Sequence, residues 1–317
     1  MNLIDRCYHA LRGPFAGIAT PLRGVIDGLA PEFGGSLHDS ATQSGRPYWL
    51  SIPLLAQTAW TKGRAGRKHT AVDEALWGQF CLFMAFRMQD DVYDEQAASP
   101  ALVFAANHFL MEAQRAYQSV FPSDDPVWDT YRNAIAGTSA ALLTATALQR
   151  SARFRPRALC DAYERIDGVL RIGIHATCAI HGRRGTAVLL DGVARHLAVA
   201  LHIDDDITDI AEDAALGRWN YAARVALGDT GRGSDTGGSG RFELLARVGH
   251  ALLTTDAHDR ILRTALRRVA AAHRMALAGS VPGLAQLVHG YGQQLEHRRQ
   301  VFLAERARHL GTNHAAS

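Results

Sequence analysis

The sequence predicts an all-α fold, and three observations carry the prediction. Long segments rich in Ala and Leu place apolar residues three and four apart, which lines them up on one face of a helix. Alternating Val, Ile and Thr runs closed by Asn-Gly turns, the mark of paired strands, are nearly absent. Proline occurs ten times and falls mostly at breaks, at Pro31, Pro122, Pro126, Pro156 and Pro282.

The first expected helix, 71–95, holds the apolar run ALWGQFCLFMAF and ends in the acidic stretch QDDVYDEQ. Helices over 99–120 and 127–150 follow, parted by Pro122 and Pro126. The segment 157–181 begins after Pro156. The segment 186–213 runs through ARHLAVALHI and, like the first, ends in dense acid, DDDITDIAED. Segments 241–252, 256–279 and 283–308 complete the set. The stretch 228–240, GDTGRGSDTGGSG, argues against a helix and for a mobile surface loop, either a tolerated insertion or a lid. No linker divides the chain, so a single domain over 1–317 is expected.

Composition narrows the function classes. Of 317 residues, 47% are hydrophobic and 21% charged, enough to bury a core and too apolar for overall disorder. With 34 basic and 31 acidic residues the net charge is +3, which excludes a polybasic nucleic-acid binder read from charge alone. Cys7, Cys81, Cys160 and Cys178 lack CxxC spacing, so buried free thiols are expected rather than a disulfide scaffold. The N-terminal MNLIDRCYHALRG lacks a long apolar stretch, and no run of about 18 uninterrupted apolar residues occurs. A cytoplasmic protein with no secretory leader and no membrane span is the expectation.

The two acidic clusters carry the chemistry. Asp90 and Asp94 are four apart and Asp91 and Asp94 three apart, spacings that gather carboxylates on one helical face. Asp205, Asp206, Asp209 and Asp213 repeat those spacings. Each cluster closes an apolar helix, at the negative end of its dipole, where each charge is disfavoured by about 0.3–1 kcal/mol. Such crowding invites a cation. Hard oxygen donors suit Mg²⁺ or Mn²⁺, and Mg²⁺ commonly uses a few carboxylates together with water and substrate phosphate. Two facing carboxylate walls would thus bind a phosphate ester through bridging metals. A carboxylate-bridged di-iron bundle needs Glu-x-x-His pairs, which are not found.

These residues resemble the class I isoprenoid synthase superfamily, which includes trans-prenyl diphosphate synthases, squalene and phytoene synthases, and class I terpene synthases. The stretch DDVYDE at 90–95 is similar to its first aspartate-rich motif. The stretch HIDDDITDIAEDAALGRWNY at 202–221 resembles the second in two versions. As DDxxD it uses Asp205, Asp206 and Asp209, with Leu216-Gly217-Arg218 where the prenyl synthases have Leu-Gly-Lys. As DxxxD it uses Asp209 and Asp213, with Glu212 and Gly217-Arg218. The resemblance covers about 45–300. It implies an antiparallel helical bundle around a central apolar cavity, commonly a homodimer, in which three Mg²⁺ ions (or Mn²⁺) assist diphosphate departure from an allylic prenyl diphosphate. Asp90, Asp91, Asp94 and Asp209 would be catalytic, and Asp90, Asp91, Asp94, Asp205, Asp206, Asp209 and Asp213 would hold metal.

Departures from the pattern favour one branch. The prenyl elongating enzymes have a Gly-Gly-Lys-Arg-x-Arg-Pro stretch; here Thr42-Gln43-Ser44-Gly45-Arg46-Pro47 keeps only the last Arg and Pro. The Arg pair after the first motif is replaced by EQAASPALV. Fewer cations favour an enzyme that uses one diphosphate. The leading expectation is a Mg²⁺-dependent terpene synthase. A prenyltransferase, chain-elongating or head-to-head, and a non-catalytic partner subunit are the alternatives. Arg46, Arg165, Arg171 and Arg218 are the expected diphosphate ligands. Tyr291, Arg298 and Arg299 near the C-terminus are further candidates. Phe86, one turn before Asp90, could floor the substrate cavity, and Trp77, Phe83, Phe104 and Tyr163 either face a carbocation or form core. His175, His181, His196 and His202 lie on apolar helices, where satisfied core positions are expected.

Overall fold

In the computed structural model, residues 3–10, 26, 48–62, 66–93, 99–151, 155–228 and 238–315 are described. Among them every regular element is helical: α1 (Leu3–Ala10), α2 (Tyr48–Thr61), α3 (Arg67–Tyr93), α4 (Leu102–Val120), α5 (Val127–Arg150), α6 (Pro156–Ile166), a 3₁₀ turn (Val169–Arg171), α7 (Ile172–Ile180), α8 (Arg184–Thr208), α9 (Ile210–Ala215), α10 (Tyr221–Leu227), α11 (Gly238–Thr254), α12 (Ala257–Ala278) and α13 (Pro282–Ala315). The all-α prediction holds. The helices sort into two compact units: Met1–Ile135 with Val169–Asp191 and Val281–Leu284, and Ala136–Gly168 with Gly192–Ser280 and Ala285–Ser317.

The first unit is built on α3. Ala75 to Leu82 are all buried, so this helix is apolar all round, as a central core helix must be. Its main partner is α4, and α7 packs on both α2 and α3. Gly78 lets α4 approach closely: a Cβ there would sit 2.9 Å from the Tyr117 ring. Gln79, fully buried, serves the break before α7. Its Nε2 donates to the Val169 carbonyl (2.8 Å), and its Oε1 accepts the Gly173 N–H (2.7 Å). One side chain thus satisfies two backbone groups that the break exposes. Arg6 anchors α1, pairing with Glu74 (2.9 Å) and lying over the Trp77 ring (4.3 Å).

In the second unit α12 carries a clean stripe: Ile261, Ala265, Val269, Ala272 and Ala276 are buried at three and four spacing. The short α10 packs on α6, α11 and α12. Two segments expected to be continuous are broken: 157–181 at Asp167-Gly168, and 186–213 at Asp209. Of the glycine-rich stretch, residues 238–240 begin α11, against the non-helical expectation, whereas 229–237 lie outside the described residues. All four cysteines are buried and free. Among the described residues one helix, Arg184–Thr208, is long and apolar enough to cross a membrane by length and composition; 56% of its apolar window is buried in the protein's own fold.

Candidate active site

Asp90 and Asp91 occupy the last turn of α3 in the first unit, both half-buried. Arg87, one turn earlier, pairs with Asp91 (Nε to Oδ1, 3.1 Å) and offsets the crowding of negative charge. Phe86 is half-buried one turn before Asp90. Asp94 and Arg46 lie outside the described residues.

The second cluster straddles the break at Asp209. Asp205 and Asp206 sit in the last turn of α8, Asp209 at the bend, and Asp213 on α9. Backbone bonds from the Asp209 N–H to Asp205 and from the Asp213 N–H to Asp209 (both 2.9 Å) keep the chain nearly helical through the bend. Asp205 is exposed, and Asp209 and Asp213 are half-buried. Asp206 is buried and heavily engaged. The Tyr163 hydroxyl lies 3.0 and 2.9 Å from its two oxygens, and the Tyr221 N–H donates to Oδ2 (2.9 Å). Burial pushes its carboxyl up to about 7, against the Tyr163 hydroxyl, His202 and the Tyr221 N–H, which all favour the ionised form. Burial likewise raises Asp213, opposed by Asn220 and by the charge of the buried Arg218.

Arg218 is placed beside the motif by its own backbone: its N–H donates to the Asp213 carbonyl (2.8 Å) after Gly217 turns the chain at φ 73°. The other two expected arginines within the described residues, Arg165 and Arg171, have partners of their own. Arg165, in the same unit, is exposed, with its Nε on the Asp161 carbonyl of its own helix (3.1 Å). Arg171, in the first unit, is buried in an ion pair with Asp191 (2.9 Å), and His175 stands 3.4 Å from the same oxygen. His202 stacks on Tyr163 (4.7 Å between centroids), 3.5 Å from Asp167. Burial alone would lower its pKa; Asp167, Asp206 and Asp205 turn the shift upward. Phe104 is 66% exposed, so it belongs neither to a core nor to a buried carbocation site.

Four residues were missed or misjudged from the sequence. Asn220 is wholly buried and caps α10. Tyr163 and the Tyr221 N–H hold Asp206. Asp204 pairs with Arg298 and lies 3.5 Å from the Tyr291 hydroxyl. An Asn directly before an apolar helical start is an N-cap signal, and it was legible; the long-range partners were not. Arg299, by contrast, bridges Asp259 (2.6 Å) and Glu296 (2.8 Å) and joins α12 to α13.

No group of three or more His, Cys, Asp or Glu side chains close enough to hold a metal ion occurs among the described residues. The donors still suit Mg²⁺, which takes one or two carboxylates and completes its shell with water and phosphate. Among the described donors Asp209 is the least engaged: its side chain makes no hydrogen bond or ion pair with any described residue. Asp206, with both oxygens occupied by protein donors, is the poorest.

The architecture is shared with solved structures. The heptaprenyl diphosphate synthase of Staphylococcus aureus superposes with a TM-score of 0.65 at 12% identity, over 92% of this chain and 96% of that one. The decaprenyl diphosphate synthase of Rhodobacter capsulatus gives 0.63 at 13%, over 93% and 99%. A polyprenyl synthase of Roseobacter denitrificans gives 0.62 at 14%, over 92% and 99%. No protein-family model matches the sequence, and neither does any curated protein. The chain therefore has the all-α isoprenoid synthase fold of these structures.

Proposed function

We propose that the protein is a Mg²⁺-dependent prenyl diphosphate synthase, a trans-prenyltransferase acting on an allylic prenyl diphosphate. The observation that supports this most is the likeness, over more than nine tenths of each chain, to three structures that are all prenyl synthases. It moves the balance away from the terpene synthase favoured by the sequence. The acidic ends of α3 and α8 supply the donors such chemistry needs. Asp90, Asp91 and Asp94 would hold metal at the first motif, and Asp205 and Asp209 at the second, with Asp206 and Asp213 mainly shaping the latter. Bound Mg²⁺ would neutralise the charge that develops on the departing diphosphate. Arg218 adds fixed positive charge beside the second motif.

A terpene synthase remains the second reading, and one observation favours it: Gln43 and Ser44 stand where a second diphosphate would meet Lys and Arg. With isopentenyl diphosphate present, both readings predict Mg²⁺-dependent release of diphosphate from C10, C15 or C20 allylic diphosphates. Asp90→Ala and Asp209→Ala should each lower that release on the order of 10²-fold while circular dichroism stays that of a helical protein. Unchanged release in both variants would overturn the site. No release by the wild-type chain under any condition would favour a non-catalytic subunit.

A further inference from the structure

We propose that Asn220 is a positioning residue for the second acidic motif, fixing the carboxylates on either side of the Asp209 break. The proposal rests on the reading of that motif as a metal site. Asn220 is 0% exposed, and its amide is used in full. Nδ2 donates to the Asp206 carbonyl (2.8 Å) and to Asp213 Oδ2 (2.8 Å). Oδ1 accepts the Ala223 N–H (3.0 Å) and caps α10. One side chain therefore ties together the end of α8, the carboxylate on α9 and the start of α10.

The break explains why such a residue is needed. The last carbonyls of α8 lose their helical partners when the helix ends at Thr208. Asp205 keeps its partner in the Asp209 N–H, whereas the Asp206 carbonyl takes its hydrogen bond from Asn220. No Gly or Pro marks the bend, so its angle is set by what holds each side of it. Asp209 lies between the two points that Asn220 grips, at Asp206 and Asp213. The direction in which its carboxylate leaves the chain follows from that grip. A residue that only capped α10 would use Oδ1 alone; both amide hydrogens are committed to the motif. Partners that orient metal ligands typically change metal affinity about 10–100-fold when removed.

Asn220→Ser keeps an oxygen cap for α10 and removes the amide donors. Asn220→Asp keeps the size and the cap and places acceptors where the donors stood. The probe is Mn²⁺ binding with inorganic diphosphate present, followed by electron paramagnetic resonance, beside circular dichroism of the same samples. Both variants should keep wild-type helical content and bind Mn²⁺ about tenfold more weakly or worse. A folded Asn220→Ser that binds Mn²⁺ as tightly as wild type makes Asn220 a helix cap only and overturns the proposal. Should Asn220→Ser fail to fold, Asn220→Asp is judged by the same criterion. Wild-type protein that binds no Mn²⁺ removes the metal-site reading and the proposal with it.

Discussion

Tyr163 donates its hydroxyl to a carboxylate that burial alone would keep neutral, and the bond offsets part of that penalty. Removing one partner leaves the other buried and under-served. Tyr163→Phe should therefore lower stability by about 1.5–3 kcal/mol in urea unfolding at pH 8, where Asp206 is mostly ionised. A loss below about 0.5 kcal/mol would show that water replaces the hydroxyl without penalty. His258 gives the matching test at acid pH. It is buried against Phe302, ring centroids 3.5 Å apart, and burial pulls its pKa down to about 4 from 6.5. The unfolded chain binds the proton more readily than the folded one. The stability this ring contributes is thus complete above pH 6.5 and is lost as pH falls towards about 4. His258→Gln should flatten the unfolding-midpoint profile across that window; a variant as acid-sensitive as wild type would contradict the assignment.

Helices were legible where their apolar period was long, and illegible where a distant partner ends them. The expected 127–150 and 256–279 agree with α5 and α12 to within a residue at each end. The break at Gly168 carried an Asp-Gly turn signal that the apolar residues on either side of it masked. The break at Asp209 carried none, because Asn220 and Tyr221 lie more than ten residues further on. For the same reason the acidic motifs were readable as sequence, whereas the burial of Asp206 and the pairing of Arg171 with Asp191 were not. Glycines inside helices separate packing from propensity. At Gly78 a Cβ would meet Tyr117 at 2.9 Å and the Ala113 carbonyl at 3.2 Å, so Gly78→Ala should cost about 1–3 kcal/mol through overpacking of α3 on α4. At Gly137 in α5 nothing lies within 4 Å, so Gly137→Ala should add about 0.5–1 kcal/mol through helix propensity. Thermal and urea unfolding of the two variants should move in opposite directions; equal shifts would refute the contact at Gly78.

On the scale of the whole molecule, the fold persists at 12–14% identity to its structural neighbours. Helical cores tolerate extensive hydrophobic exchange as long as pattern and volume are kept, so fold outlasts sequence. Substrate choice does not follow from fold and has to be settled at the site. A net charge of +3 conceals a division between two acidic helix ends and arginines with separate duties. Arg218 stands beside the second motif, whereas Arg171 and Arg299 are occupied in holding helices together. The central claim is prenyl transfer, and product analysis tests it most directly. Purified protein is incubated with Mg²⁺ and a C10, C15 or C20 allylic diphosphate, with and without isopentenyl diphosphate. The account predicts longer prenyl diphosphates that form only when isopentenyl diphosphate is present. Terpene hydrocarbon or alcohol formed equally well without it, and no chain extension with it, would contradict the account.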